Sequence, residues 1–202
     1  VGYTLFTLGN GGYGPATDLM RAVTVLMNAL GMFLLTLSVT YLLPVISASV
    51  GARSFASSVT ALGARPAEML AAAWDGQRIR LDHQLRELGS ELSTLAHQHL
   101  AYPVLHRVHS DDAESSAPLA VADLDDLLML LDAVEPSAAP SVPTRRQLRS
   151  SIEDYVETHG RVVHARSAPP QLALDELAAA GIPLSMDPPS FARLVDGRDD
   201  HR

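Results

Sequence analysis

The chain contains no cysteine and no lysine, and only 5% of its 202 residues are aromatic. Without cysteine there is no disulfide framework, no thiolate zinc site, no iron–sulfur cluster and no thiol nucleophile. All fifteen basic residues are arginine, set against 23 acidic ones, for a net charge of -8. With the abundance of alanine, that all-arginine usage reads as coding bias. The acidic balance argues against a nucleic-acid partner. The sequence also lacks a G-x-S-x-G elbow, a G-x-x-x-x-G-K-[ST] loop and an H-E-x-x-H pair. Scattered Ser, His and Asp do not make a triad without geometry, so no enzymatic activity and no resident cofactor are expected. A hydrophobic share of 47% separates the chain from disordered, charge-rich sequences.

Charge is most conspicuously missing from Ala22 to Ile46, AVTVLMNALGMFLLTLSVTYLLPVI. As a helix this stretch is about 37 Å long, against a hydrocarbon core of about 30 Å. It reads as a transmembrane helix. The competing reading, a central helix of a large soluble protein, needs more surrounding chain than is present. Arg53 and Arg65 follow the span, and no acidic residue appears until Glu68. The positive-inside rule then puts the C-terminal side in the cytoplasm, and the plasma membrane is the expected location. Asn28 and Thr36 are predicted to face other helices or water rather than lipid. Gly31 permits close approach or a bend, and Pro44 removes a hydrogen bond to Thr40 and predicts a kink.

Just upstream lies Thr7-Leu8-Gly9-Asn10-Gly11-Gly12-Tyr13-Gly14-Pro15. Gly9, Gly11 and Gly14 satisfy the dinucleotide fingerprint by letter only. The following helix is apolar and residues 22–67 contain no Asp or Glu to hold a ribose. A re-entrant loop whose glycine carbonyls replace an ion's hydration shell suits the context better. An extracellular turn beside a helix is the bland alternative.

The segment Thr7–Gly14 resembles the T-x-x-T-V-G-Y-G pore signature of potassium channels, with Thr7, Gly12, Tyr13 and Gly14 on the family pattern. Arg21 and Gly31, ten residues apart, are similar to the start and hinge glycine of that family's inner helix. Asn10 stands where the pattern has Thr, Gly11 where it has Val, and Pro15 where it has an acidic residue. The His99–His106 stretch HLAYPVLH and the Ser116–Ala120 stretch SAPLA also look like the C-terminal region of bacterial potassium-channel-like membrane proteins. The resemblance implies a two-helix pore module, here the end of a pore helix at Thr7, a filter at Asn10, Gly11, Gly12, Tyr13 and Gly14, and an inner helix hinged at Gly31 or Pro44. It implies a homotetramer in lipid, a permeant monovalent cation with K+ as the family's ion, and an outer helix upstream of Val1, of which the chain reads as a fragment.

Residues 48–202 hold 22 of the 23 acidic residues, all but Asp18, and read as an acidic α-helical cytoplasmic domain whose partner is unknown. The expected organisation is 1–47 pore loop and inner helix, 48–80 linker and connecting helix, and 81–202 helical domain: an all-α chain. Leu81, Leu85, Leu88, Leu92 and Leu95 follow a 4-3-4-3 spacing. That predicts either a short coiled-coil stem or, the favoured reading, an amphipathic helix in a bundle. Further helices are predicted after Ser116 with Pro118 in the first turn, after Pro143, and from Gln171 to Ala180 with a stop at Gly181. Asp123, Asp125, Asp126 and Asp132 are expected mostly away from the apolar face. Four or five tail helices are expected, joined by Pro- and Ser-rich linkers at Glu135–Pro143 and Ser167–Pro170. His97, His99, His106 and His109 crowd into thirteen residues, but His97 and His99 point to different sides of a helix and Pro103 breaks the register. A local structural role is favoured over metal binding. Asp111, Asp112 and Glu114 lack EF-hand spacing and read as a solvated loop.

Overall fold

In the computed structural model, residues 17–102, 116–159 and 170–199 are described. Among them every regular element is a helix: α1 Asp18–Thr60, α2 Pro66–Ala72, α3 Asp82–Ala101, α4 Ala117–Ala133, α5 Val142–His159, α6 Pro170–Ala179 and α7 Pro188–Asp199. The chain divides into two compact units, Val1–Ser47 and Ala48–Arg202, and α1 contributes residues to both.

In the first unit, α1 starts where Thr17 accepts the Met20 backbone N–H on its hydroxyl oxygen. Asp18 occupies the first turn, where a negative charge meets the positive end of the helix dipole. From there the helix is apolar on every side. Leu26, Phe33, Leu35 and Leu43 are each more than 60% exposed, and only 6% of its most apolar window is buried. A soluble core helix is mostly buried, so this exposure counts against that reading. Helical geometry continues through Pro44 to Thr60.

The second unit is a helical bundle. The leucine seam of α3 is fully taken up inside the chain. Leu81, Leu85, Leu88, Leu92 and Leu95 are all buried in one cluster with Leu148, Ile152 and Tyr155 of α5. A seam that is satisfied within its own domain has no face left for a coiled-coil stem. Gly89 lies where these two helices meet, and a Cβ would make only ordinary contacts there. A Cβ placed there would sit 3.6 Å from the Leu148 Cα and 3.6 Å from the Ser151 Oγ. Helix α4 adds Leu124, Leu127, Leu128 and Leu131 to the same core, each with no exposed surface.

Local signals set several helix ends. Ser116 precedes α4 and a proline lies in its first turn. Helix α6 stops in a Schellman motif, where the Ile182 N–H donates to the Leu177 carbonyl (3.1 Å) and the Gly181 N–H to the Ala178 carbonyl (3.0 Å). Gly181 takes φ +78, which suits a residue without Cβ.

Residues 48–80, expected as a linker and connecting helix, are well packed. Ala48, Phe55, Ala56 and Val59 from the end of α1, and Ala67, Met69 and Leu70 from α2, are all buried. The Glu135–Pro143 linker buries Ala138 and Ala139, and the Ala138 carbonyl accepts the Ile79 N–H at 2.8 Å. Among the described residues, 81–202 holds five helices, α3 to α7, and α2 precedes them.

Candidate functional site

The filter residues Asn10, Gly11, Gly12, Tyr13 and Gly14, and Thr7 at the pore-helix end, lie outside the described residues. The remaining residues of that assignment, Gly31 and Pro44, lie on α1. Gly31 is buried, and Thr24, Met27 and Asn28 are half-buried on the same side of the helix. Positions 24, 27, 28 and 31 share one face by helical spacing. Pro44 is half-buried and inside the helix, where it removes the donor to the Thr40 carbonyl.

Polar side chains on the apolar part of α1 fall into two groups. Three hydroxyls are satisfied locally. Thr24 donates to the Met20 carbonyl at 2.8 Å, Thr36 to Met32 at 2.9 Å and Ser38 to Leu34 at 2.7 Å. This back-bonding is a well-known way to hide a hydroxyl in an apolar helix. Asn28 differs. Its Oδ1 is sealed from solvent and has no hydrogen-bond partner. Charges flank the stretch: Asp18 pairs with Arg21 at 3.3 Å at the start, and Arg53 is exposed near the end.

The histidines behave as structural residues. His97 is exposed and its Nδ1–H donates to the Ser93 carbonyl at 2.6 Å. His99 is buried, donates from Nδ1 to the Leu95 carbonyl at 2.9 Å, and meets the Tyr155 ring edge-on at 5.9 Å. The two rings thus face different ways. Burial pushes the Tyr155 phenol well above its ordinary range. His106, His109, Asp111, Asp112 and Glu114 lie outside the described residues. Among the described residues no group of three metal-binding side chains is present.

The acidic residues of α4 are not all on the solvent side. Asp125 is buried, which corrects the sequence expectation. It sits between Leu124 and Leu127 on a helix whose buried face is wide, so a position one residue from the apolar stripe is still covered. Asp123 is half-buried, and burial together with the neighbouring Asp126 pushes its carboxyl up to about 6. Asp132 is shared by two guanidinium groups, Arg145 at 3.3 Å and Arg149 at 3.0 Å.

Sequence reasoning passed over Asp82. Its Oδ1 accepts the Ser141 backbone N–H at 2.9 Å and the Thr144 hydroxyl at 3.0 Å, so one carboxylate at the start of α3 caps the start of α5. Burial raises the carboxyl's pKa, but the hydrogen bonds from Ser141 and Thr144 and the nearby Arg78 charge outweigh it and hold it below the ordinary value. Asp75 organises the turn between α2 and α3. It accepts the N–H groups of Gln77 and Arg78 and pairs with Arg80, and these hold its carboxyl at about 2. The Asp-Gly dipeptide at 75–76 is the signal that marks this turn.

One curated relative clarifies the setting. Over 186 residues the chain is 39% identical to a Bacillus subtilis (strain 168) protein named uncharacterized membrane protein YdjJ. The match takes in 90% of this chain and 54% of that protein. The chain therefore spans about half the length of the curated relative it matches. No family model matches the chain, and no solved structure does. Together these observations give a chain whose described regular elements are all helices, with one candidate membrane-spanning helix among them and a relative named as a membrane protein.

Proposed function

We propose that this chain is a subunit of a membrane channel that passes monovalent cations, K+ first among them, through a glycine-rich carbonyl filter at Asn10–Gly14. The observation that carries the reading is the pairing of that filter-like sequence with α1, a helix uncharged from Ala22 to Ala52 and exposed on nearly every side. Backbone carbonyls directed at a common axis replace the water around a cation, and each subunit contributes one loop. Four copies around one axis would complete such a filter. Gly31 and Pro44 are the places where α1 could bend to gate the path below it. Arg53 and Arg65 support a cytoplasmic tail in the plasma membrane, since positive charge is retained on that side.

A second reading is favoured by the size of the packed unit formed by residues 48–202. In it, α1 is an anchor, the glycine turn carries no ions, and the helical tail binds a partner. Cation flux from liposomes holding the full-length protein separates the two. Replacing Gly12 or Gly14 by a bulky residue is expected to abolish flux if the loop is a filter. Flux that survives both replacements, or no flux in the parent protein, leaves the anchor.

A further inference from the structure

Helix α1 enters the packed unit before the uncharged part of its sequence has ended. It carries no charge from Ala22 to Ala52, yet the second unit begins at Ala48, which is buried. As a helix the uncharged run is about 46 Å long, close to the thickness of about 40–45 Å of a bilayer with its headgroups. A span set between Arg21 and Arg53 therefore places those two charges at the aqueous edges of the headgroup layers. Gly51 then lies at headgroup depth, about 3 Å on the lipid side of Arg53.

The end of α3 lies beside Gly51. A Cβ placed on Gly51 would sit 3.9 Å from the Leu95 Cδ2 and 4.0 Å from the Gln98 Oε1. Leu100, two residues beyond Gln98, is 67% exposed, and Val50, next to Gly51, is 61% exposed. Among the described residues of the second unit one other large apolar side chain is exposed, Val142 at 48%. It belongs to the opposite end of α3. Helices α3 and α5 run parallel, for Asp82 meets Ser141 and Thr144 at their starts and His99 meets Tyr155 near their ends. Val142 is thus about 27 Å from Leu100 along α3.

We infer that the end of α3, led by Leu100, dips into the boundary between headgroups and acyl chains, while the Val142 end stays in water. The partner is the lipid surface itself. A lone exposed leucine is ordinary on a surface in water. At headgroup depth it gains by entering the acyl boundary, and Tyr102, half-buried two residues on, is of a type that favours that layer. The attraction is apolar rather than electrostatic, because residues 48–202 hold 22 of the 23 acidic residues. Neutral phosphatidylcholine should therefore suffice. The inference goes beyond the channel reading and needs only that α1 spans the bilayer.

The chain has no cysteine, so single cysteines can report from the full-length protein. Leu35→Cys, Leu100→Cys and Val142→Cys each replace an exposed side chain and leave the buried core unaltered. Each variant is labelled with an environment-sensitive nitrobenzoxadiazole dye and placed in phosphatidylcholine liposomes carrying nitroxide either near the headgroup or deep in the acyl chains. At position 100 the emission should shift to the blue and lose intensity to the shallow nitroxide. At position 142 it should stay water-like and lose none. Position 35 reports on the span and should lose intensity to the deep nitroxide. Loss at 35 without loss at 100, or equal loss at 100 and 142, overturns the inference and leaves α1 as a span. No loss at 35 overturns the span, and this contact with it.

Discussion

Leucine does opposite work in the two units of this chain. In residues 18–47 it recurs on all sides of one helix and stays exposed, 70% at Leu26 and 61% at Leu35. In residues 48–202 it gathers mostly on the inner side of each helix, with Leu85, Leu92, Leu124 and Leu131 fully buried. The residue and the backbone conformation are the same. What differs is the solvent that the pattern anticipates. An all-round apolar helix is soluble in lipid, whereas a one-sided one must find another helix. Polar groups show no such clean division: Thr36 in the apolar stretch and Thr94 in the second unit both turn back on their own helix, while Asp82 ties α3 to α5.

The sharpest way to break this contrast is to remove the same atoms from both sides. Leu124→Ala should destabilise the tail by about 2–5 kcal/mol, through lost burial and the cavity left behind. Leu35→Ala should leave tail unfolding within about 0.5 kcal/mol. Urea unfolding of the full chain in micelles measures both. A large loss from Leu35→Ala would mean that its surroundings are protein rather than lipid.

Smaller is the effect of Asp82→Asn, which weakens the cap on α5. It should cost about 1 kcal/mol at pH 7. The folded carboxyl lies below its ordinary value, so its contribution is present above the unfolded pKa of about 4 and fades as pH falls through the folded one. The gap between parent and variant should therefore close below about pH 4. A gap that is the same at pH 7 and pH 3 would make the cap a matter of shape rather than charge.

Of similar size is Asp123→Asn, and its sign is opposite. The folded carboxyl is pushed up to about 6, so its proton is held on folding and ionisation above that value works against the native state. Asp123→Asn should stabilise the tail by about 1 kcal/mol at pH 7, less than a fully buried group would give because solvent reaches part of the side chain. The gain should vanish below about pH 4. Thermal unfolding at pH 4 and pH 7 checks it, and equal melting shifts at both would discard the explanation.

Much of the fold can be read from spacing. The 4-3-4-3 leucines mark the buried face of α3, Ser116 and Pro118 mark the start of α4, and Gly181 marks the end of α6. Helix α2 is harder, since seven residues show less than two turns of any period. The packed state of 135–143 is invisible locally, because it depends on Ile79 reaching the Ala138 carbonyl across a long sequence gap. Asp125 was misplaced for a similar reason: the width of a buried face is set by how many neighbours surround a helix. Of the site, Asn28 stands out in the sequence as a polar residue in an apolar run. That its oxygen lacks a partner is a matter of coordinates. The residues at 7 and 10–14 rest on resemblance, because glycine spacing alone fits turns of several kinds.

The uninterrupted course of α1 governs how the protein can be divided. A cut at Ser47 passes through a helix, not through a tether. A soluble piece beginning at Ala61 would forfeit Phe55, Ala56 and Val59, and with them one wall of its interior, while a piece beginning at Ala48 keeps that wall. The apolar stretch and the packed unit therefore share one folding element, and neither can be trimmed back to a tidy edge without borrowing residues from the other.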